Sequence, residues 1–400
     1  MRRVSLQPRP NWEKRLEDAG CFYHTIDGKP YWREDAAYVF SLAEIDKIEA
    51  ATNELHKMCI DHCTEVVARG DYTGYGFPDE VKQLVAESWG RVPEDSLFGR
   101  FDLGYDGANL KLYEYNADTP TGLPEAAVWQ WHAAIDRGWG PKGENQFNSI
   151  HEHLVERWKK IATPGETAHF AASQEAHHED WGNVNYLIET AAEAGYDCTA
   201  LCIDELGWSE ADKSFADLKG NIITHLFKLY PWEVMMQEKD GWKVREVGDR
   251  CTFIEPAWKM LLSTKALLPL LWKKHPGHPL LLEAHFEKDE RGVWGDRIDG
   301  GEWVRKPLLG REGANITKVS LGSPHWSAQN APNFNPQYDK HGYIVQRQFD
   351  SLKFDGEGGE FAPVIGSWVV GDEACGIGIR EDTGPVTTNA SCFVPHYFEP

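Results

Sequence analysis

The stretch RFDLGYDGANLKLYEYNADTP, Arg100 to Pro120, constrains the fold of this chain more than any other. Glu114, Asn116 and Asp118 alternate with Tyr113, Tyr115 and Ala117. A period of two is strand geometry, so the three polar side chains should share one face. Upstream, Arg100 and Asp102 occupy one face of a second short run. The dipeptide Asp106-Gly107 between the runs is a strong hairpin signal. The pattern predicts an antiparallel hairpin with carboxylates, an amide and an arginine along one face.

What surrounds the hairpin reads as a mixed α/β chain. SLAEIDKIEAATNELHKMCIDHCTEVVARG has the form of a long helix. Ser41 and Glu44 make a capping box at its start, and Gly70 fits its stop. PDEVKQLVAESWG, LPEAAVWQWHAAIDRG and QFNSIHEHLVERWKKIA read as further helices. From Thr167 the texture changes to short strand, helix and short strand in AHFAAS, NVNYLIETAAEAG and DCTALCID. That alternation predicts a parallel βαβ unit. After Pro276 the chain is strand-rich, which predicts an antiparallel sheet near the C-terminal end.

Composition narrows the class. With 41% hydrophobic residues and 17 Trp among 400 residues, the chain should fold into a globule with a sizeable core. A net charge of −22 argues against non-specific binding to nucleic acid or to an anionic membrane. MRRVSLQPRP lacks the apolar stretch of a secretory signal, and MLLSTKALLPLLW is too short to span a bilayer and carries Lys265. The eight cysteines form neither a CxxC pair nor a zinc pattern, so reduced thiols and a cytoplasmic setting are expected.

Four features carry candidate chemistry, and each has a plain structural reading beside it. Asp102, Glu114 and Asn116 are hard oxygen donors that suit Mg²⁺, or else the outer face of a sheet crossed by ion pairs such as Arg100–Glu114 or Asp102–Lys111. In VRKPLLGREGANI, Lys306 precedes a glycine turn able to close on phosphate, or a hairpin turn with bystander charges. Lys265, in an apolar helix-like run, either snorkels to water or points at an anion. Arg380 in GIGIRED, with Asn389 downstream, is a surface arginine or a phosphate contact. Together they are the parts that phosphoryl transfer requires.

These four motifs, in this order and over nearly the whole chain, resemble the synthetase domain of glutathionylspermidine synthase and its stand-alone relatives. The resemblance implies an ATP-grasp fold with interlocked subdomains and a carbon–nitrogen ligase that joins a carboxylate to an amine through an acyl-phosphate. It implies one unit over 1–400, with a helical part and hairpin at 1–165, a pre-ATP-grasp βαβ region at 166–250, and an ATP-binding lid with C-terminal sheet at 251–400. Arg100 would stabilise the transferring phosphoryl group. Asp102, Glu114 and Asn116 would hold two Mg²⁺ ions. Phe101, Asp102, Lys265, Lys306, Gly313, Gln346 and Arg380, with Arg100, would contact ATP. The turn from Gly310 to Asn315 would be a mobile loop with few packed contacts. Thr119, Thr121 and Arg311 match positions that hold the acid substrate.

The bifunctional members of that family carry an amidase domain; this sequence opens on synthetase-like residues, and no amidase is expected in it. SQEAHHEDWGN is its own: His177 and His178 precede Glu179 and Asp180, the expected place of substrate contacts. With Glu175, these carboxylates predict a cationic amine. Two other classes fit the same motifs: an ATP-binding regulatory protein without turnover, and a phosphotransferase.

Overall fold

The fold is known from a computed structural model. It describes residues 1–26, 28–91, 96–161, 163–174, 178–289, 292–293, 300–320, 334–384, 386–388 and 391–399. Glu175, His177 and Asn389 lie outside these residues, as does the side chain of His178.

The hairpin forms where the alternation requires it. Phe98–Tyr105 runs antiparallel to Leu110–Asn116, with Arg100 opposite Asn116 and Asp102 opposite Glu114. Phe101, Leu103, Leu112 and Tyr115 are buried on the opposite face. The phase is not perfect, however. Asp102 faces Glu114 but Leu103 faces Leu112, so Tyr113 is an extra residue on the second strand. Such a bulge shifts the alternation by one. Tyr113 consequently leaves the apolar face on which the sequence pattern puts it, and its hydroxyl hydrogen-bonds Ser351 Oγ at 2.6 Å. Asp118 also departs from expectation. It lies past the strand end, 1% exposed, and accepts from Lys228 Nζ at 2.9 Å.

The hairpin does not stand alone. Its first strand pairs antiparallel with Gly359–Val370, which pairs with Glu373–Asp382 and then Cys392–Val394. A single sheet thus joins chain segments some 250 residues apart, which is the interlocking of subdomains. Gly366 sits opposite Asp102, and a Cβ there would come within 3.0 Å of Arg100 Cδ. Glycine leaves the room that the arginine side chain fills.

The long helix Leu42–Arg69 packs on this sheet. Ser41 and Glu44 form the capping box, and Gly70 closes the C-terminus with a positive φ of 61°. Cys59 and Cys63 are buried one turn apart on its inner face, and all eight cysteines are free thiols. The βαβ reading also matches. Thr252–Ile254, His225–Leu229, Thr167–Ala172 and Asp197–Cys202 form a wholly parallel sheet, with helix His178–Glu193 as the crossover. A third sheet, antiparallel, contains Ala284–Phe286, Tyr343–Arg347, Glu302–Pro307 and Thr317–Ser320. Among the described residues, no helix is long and apolar enough to cross a membrane.

Candidate active site

The three sheets enclose one large cavity of about 690 Å³. The hairpin sheet contributes Arg100, Asp102, Glu114 and Asn116 to its wall, and Arg380 enters from the C-terminal strands. The third sheet contributes Lys306 and Gln346, and the turn after Lys306 contributes Arg311 and Gly313. Thr119, Thr121, Glu179 and Asp180 line the remaining side. Residues scattered over 280 positions are therefore brought together.

On the hairpin wall, Arg100 Nε and Nη2 donate to both oxygens of Asp102, at 2.7 and 3.1 Å. Its Nη1 donates to the backbone carbonyl of Thr121. Asn116 Nδ2 approaches Asp102 Oδ2 at 3.3 Å and Glu114 Oε1 at 3.5 Å. The two carboxylates are thus near neighbours of the single amide of Asn116. The Arg100–Glu114 and Asp102–Lys111 pairings do not form. Arg100 pairs within its own strand, and Lys111 donates to Leu281 O at 3.1 Å.

The lysines set the charge. Lys265 does not line the main cavity. It sits in the break between the short helices Met260–Ser263 and Leu267–Lys274, where Thr264 is extended. From there its Nζ reaches Glu114 Oε2 at 3.0 Å and Gly310 O at 2.8 Å, so it is neither snorkelling nor free. Lys306 Nζ donates to Gln346 Oε1 at 2.7 Å and to Tyr113 O at 3.0 Å. Burial alone would raise the carboxyl pKa of Glu114, but Lys265 and Lys306 overcome it and hold the group down at about 2. Burial pushes Lys306 down to about 8, against the pull of Glu114 and with the added push of Lys265. The wall is a set of half-neutralised charges facing an open space.

The turn after Lys306 differs from the loosely packed loop expected of it. Asn315 is fully buried, donates to Asn335 O at 2.8 Å and accepts from Asn335 N at 2.6 Å. Gly313 has φ 70°, and a Cβ on it would lie 2.6 Å from Thr387 O. Backbone meets backbone there, which only glycine permits. Arg311 donates to Thr119 Oγ1, and to Glu233 Oε1 at 2.9 Å. Arg380 Nη2 bonds the carbonyls of Thr388 and Ser391 at 2.9 and 3.0 Å.

One candidate contact is corrected outright. The Phe101 side chain is fully buried and stacks on Tyr115 at 3.8 Å between centroids, so it does not line the cavity. Strand parity sends it to the core while Arg100 and Asp102 face out. Other participants escaped the sequence reading. Lys318 lines the cavity from the strand paired with Glu302–Pro307, at a position that only the register opposite Val304 reveals. Glu125 and Glu233 carry no motif, and each acquires its surroundings from distant segments.

Comparison with known proteins identifies the family. A family model described as glutathionylspermidine synthase preATP-grasp matches residues 3–399. The chain belongs to this family. A Haemophilus influenzae protein named "Putative acid--amine ligase" is 46% identical over the full length of both chains. A trypanothione synthetase of Crithidia fasciculata is 27% identical, covering 78% of this chain and 49% of that protein. A bifunctional glutathionylspermidine synthetase/amidase of Escherichia coli is 27% identical, covering 72% of this chain and 49% of that protein. The chain thus spans about half the length of those two synthetases. A glutathione synthetase-like effector of Globodera pallida aligns over 98% of both chains with a TM-score of 0.57 at 10% identity, a likeness of fold alone. The architecture is ATP-grasp.

Proposed function

We propose that this chain is an ATP-dependent acid–amine ligase working as a single unit over its 400 residues. The observation that carries the reading is the hairpin wall. Arg100, two carboxylates and an amide face the same cavity as Lys306, Gly313 and Arg380, in a chain of this family. Phosphoryl transfer depends on positioned charge more than on covalent chemistry, and this wall offers positioned charge.

Asp102, Glu114 and Asn116 would hold Mg²⁺, two ions in the fullest form. Their donor set fits, because two carboxylates and an amide oxygen are hard ligands that leave room for phosphate and water. The amide of Asn116 would turn its oxygen inward for this. When bound, the metal would neutralise phosphate charge during transfer. Lys265 and Lys306 would take up triphosphate charge. Arg380 and the backbone at Gly313 would hold the phosphates, and Gln346 would lie by the base. Arg311, Thr119 and Thr121 would orient the acid.

An oxygen of the acid's carboxylate attacks the γ-phosphorus as the bond to ADP breaks, and Arg100 meets the charge in transit. The amine nitrogen then attacks the acyl carbon and inorganic phosphate leaves. The nitrogen must shed a proton, and Glu179, which lines the cavity, would accept it. Glu179 and Asp180 favour a cationic amine. The free cysteines support a reducing, cytoplasmic setting.

Incubation with ATP, Mg²⁺ and a matrix of carboxylic acids and amines tests this. A ligase yields ADP, phosphate and an amide mass. A phosphorylated product without an amide would point to a phosphotransferase. Nucleotide binding with no turnover over a broad matrix would point to a silent ATP-binding protein.

A further inference from the structure

Three segments of this chain close a ring of contacts at the acid side of the cavity. Asp118 is the first corner. Its Oδ2 accepts the backbone N–H of Trp232 at 2.9 Å, and its Oδ1 accepts Lys228 Nζ at 2.9 Å. That lysine is fully buried and lies 4.3 Å from the Trp232 ring centroid. Trp232 opens the short helix Trp232–Met235, whose next residue is Glu233. Glu233, the second corner, accepts Arg311 Nη2 at 2.9 Å. Arg311 is the third corner, and its Nη1 returns to Thr119 Oγ1, the side chain next to Asp118.

The ring has two distinct outputs. Thr119 and Thr121 belong to the loop on the acid side. Arg311 lies two residues before Gly313, and its carbonyl accepts the N–H of Ala314 at 2.9 Å, which ties it into the backbone of the turn. The turn is also pinned from the metal side, where Lys265 holds both Gly310 O and Glu114. Its backbone is not relaxed: Glu312 has φ 57°, a left-handed conformation that a residue with a Cβ adopts at a cost. A strained turn keeps its shape when neighbours over-determine it, and Arg311 held by Glu233 is one such constraint. None of this needs a bound acid, because Glu233 supplies the counter-charge from within the protein.

We propose that Glu233 is a positioning residue that couples the acid loop to the phosphate turn. By holding the Arg311 guanidinium it makes loop 119–123 and turn 310–315 order together, so that a nucleoside triphosphate seated at the turn pre-forms the acid site. The proposal rests on the ligase reading for the identity of the two ligands, but the coupling itself is a property of the chain. A contrary arrangement is a swap, in which Glu233 blocks Arg311 until a substrate carboxylate displaces it. The two differ in sign: coupling requires Glu233 for order, and a swap is relieved by its loss.

Hydrogen exchange by mass spectrometry on the wild type, Glu233→Gln and Glu233→Asp decides between them. Each is measured without nucleotide and with Mg²⁺ and a non-hydrolysable ATP analogue. In the nucleotide-free Glu233→Gln protein, turn 311–315 should exchange about tenfold faster than in the wild type, the loss of one charge-assisted contact. The helix Leu42–Arg69 should keep its protection, which separates a local effect from general unfolding. With the analogue, the wild type should gain protection at both 311–315 and 119–123, and Glu233→Gln at 311–315 alone. Glu233→Asp should recover part of the protection at 119–123. Wild-type exchange at the turn in nucleotide-free Glu233→Gln, or slower exchange as a swap requires, overturns the coupling. So does undiminished analogue-induced protection of 119–123 in that variant. If the analogue protects nothing in the wild type, the ligase reading fails, and the nucleotide-free comparison still decides whether Glu233 orders the turn.

Discussion

Glu114 lines the cavity while Glu125 is buried outside its lining, and their surroundings push the two carboxyls in opposite directions. Glu114 faces two lysines, and despite partial burial its carboxyl is held at about 2. Glu125 is fully buried among hydroxyls. Tyr31 donates to its Oε1 at 2.5 Å, Tyr23 lies at 3.5 Å, and its Oε2 has no hydrogen-bond partner among the described residues. Burial raises its carboxyl to about 7, with the charge of Glu179 adding to the rise and Arg380 opposing it. The lysine-faced wall keeps an anion ready for a cation to share. The tyrosine-lined pocket behind it favours the neutral acid. Neighbouring charge, rather than residue type, decides which carboxylate can serve a metal.

The largest effect should come from breaking the first half of that contrast. Glu114→Gln removes the charge and keeps the shape. Turnover in a coupled ADP assay should fall by about 10³-fold, while the melting temperature stays close to wild type. ADP formation at the wild-type rate would mean that the wall is only a sheet face. Arg100→Ala comes next. If its contribution belongs to the charge in transit, as proposed, kcat should drop by roughly 10²–10³-fold while the affinity for an ATP analogue, read by calorimetry, changes only several-fold.

The second half of the contrast is open to a pH test. A carboxyl raised from its ordinary value to about 7 binds its proton more tightly in the folded chain than in the unfolded one. Its contribution to stability is present below about 4.5 and is lost as pH rises to about 7. The whole span is worth at most about 3 kcal/mol. Glu125→Gln should therefore flatten the pH dependence of denaturant midpoints across that window and be the more stable protein at pH 8. Identical curves for the two proteins would show that Glu125 is already ionised. The smallest effect concerns the acidic side of the cavity. If Glu179 and Asp180 attract a cationic amine, its KM should rise several-fold between low and high salt with kcat nearly constant. A salt-insensitive KM would remove the charge attraction and leave the hairpin chemistry intact.

How far the sequence reaches can be judged from individual residues. Alternation told which of Arg100, Asp102, Glu114 and Asn116 share a face, and a capping box told where the long helix begins. The same alternation, followed strictly, misplaced Tyr113, because a bulge depends on the partner strand. The resemblance, by contrast, put Phe101 in the site, although the alternation turns its ring to the core. Lys265 was visible as an oddity in an apolar run, but its link to Glu114 was not. Asp118 was read onto the polar face by the same alternation, although it lies past the strand end against Lys228, and Glu233 gave no local signal at all.

The sequence by itself determined the faces of the strands, the ends of the long helix and the order of the motifs. These follow from backbone sterics and from contacts within a few residues, which a linear pattern records. Only the tertiary structure decided which carboxylates meet cations and which meet hydroxyls. Coulomb attraction and desolvation act through space, and the groups that set them lie far apart in the chain. Lys265 stands 151 residues from Glu114, and Arg311 stands 78 from Glu233. No periodicity encodes those meetings; they exist once the three sheets have closed around the cavity.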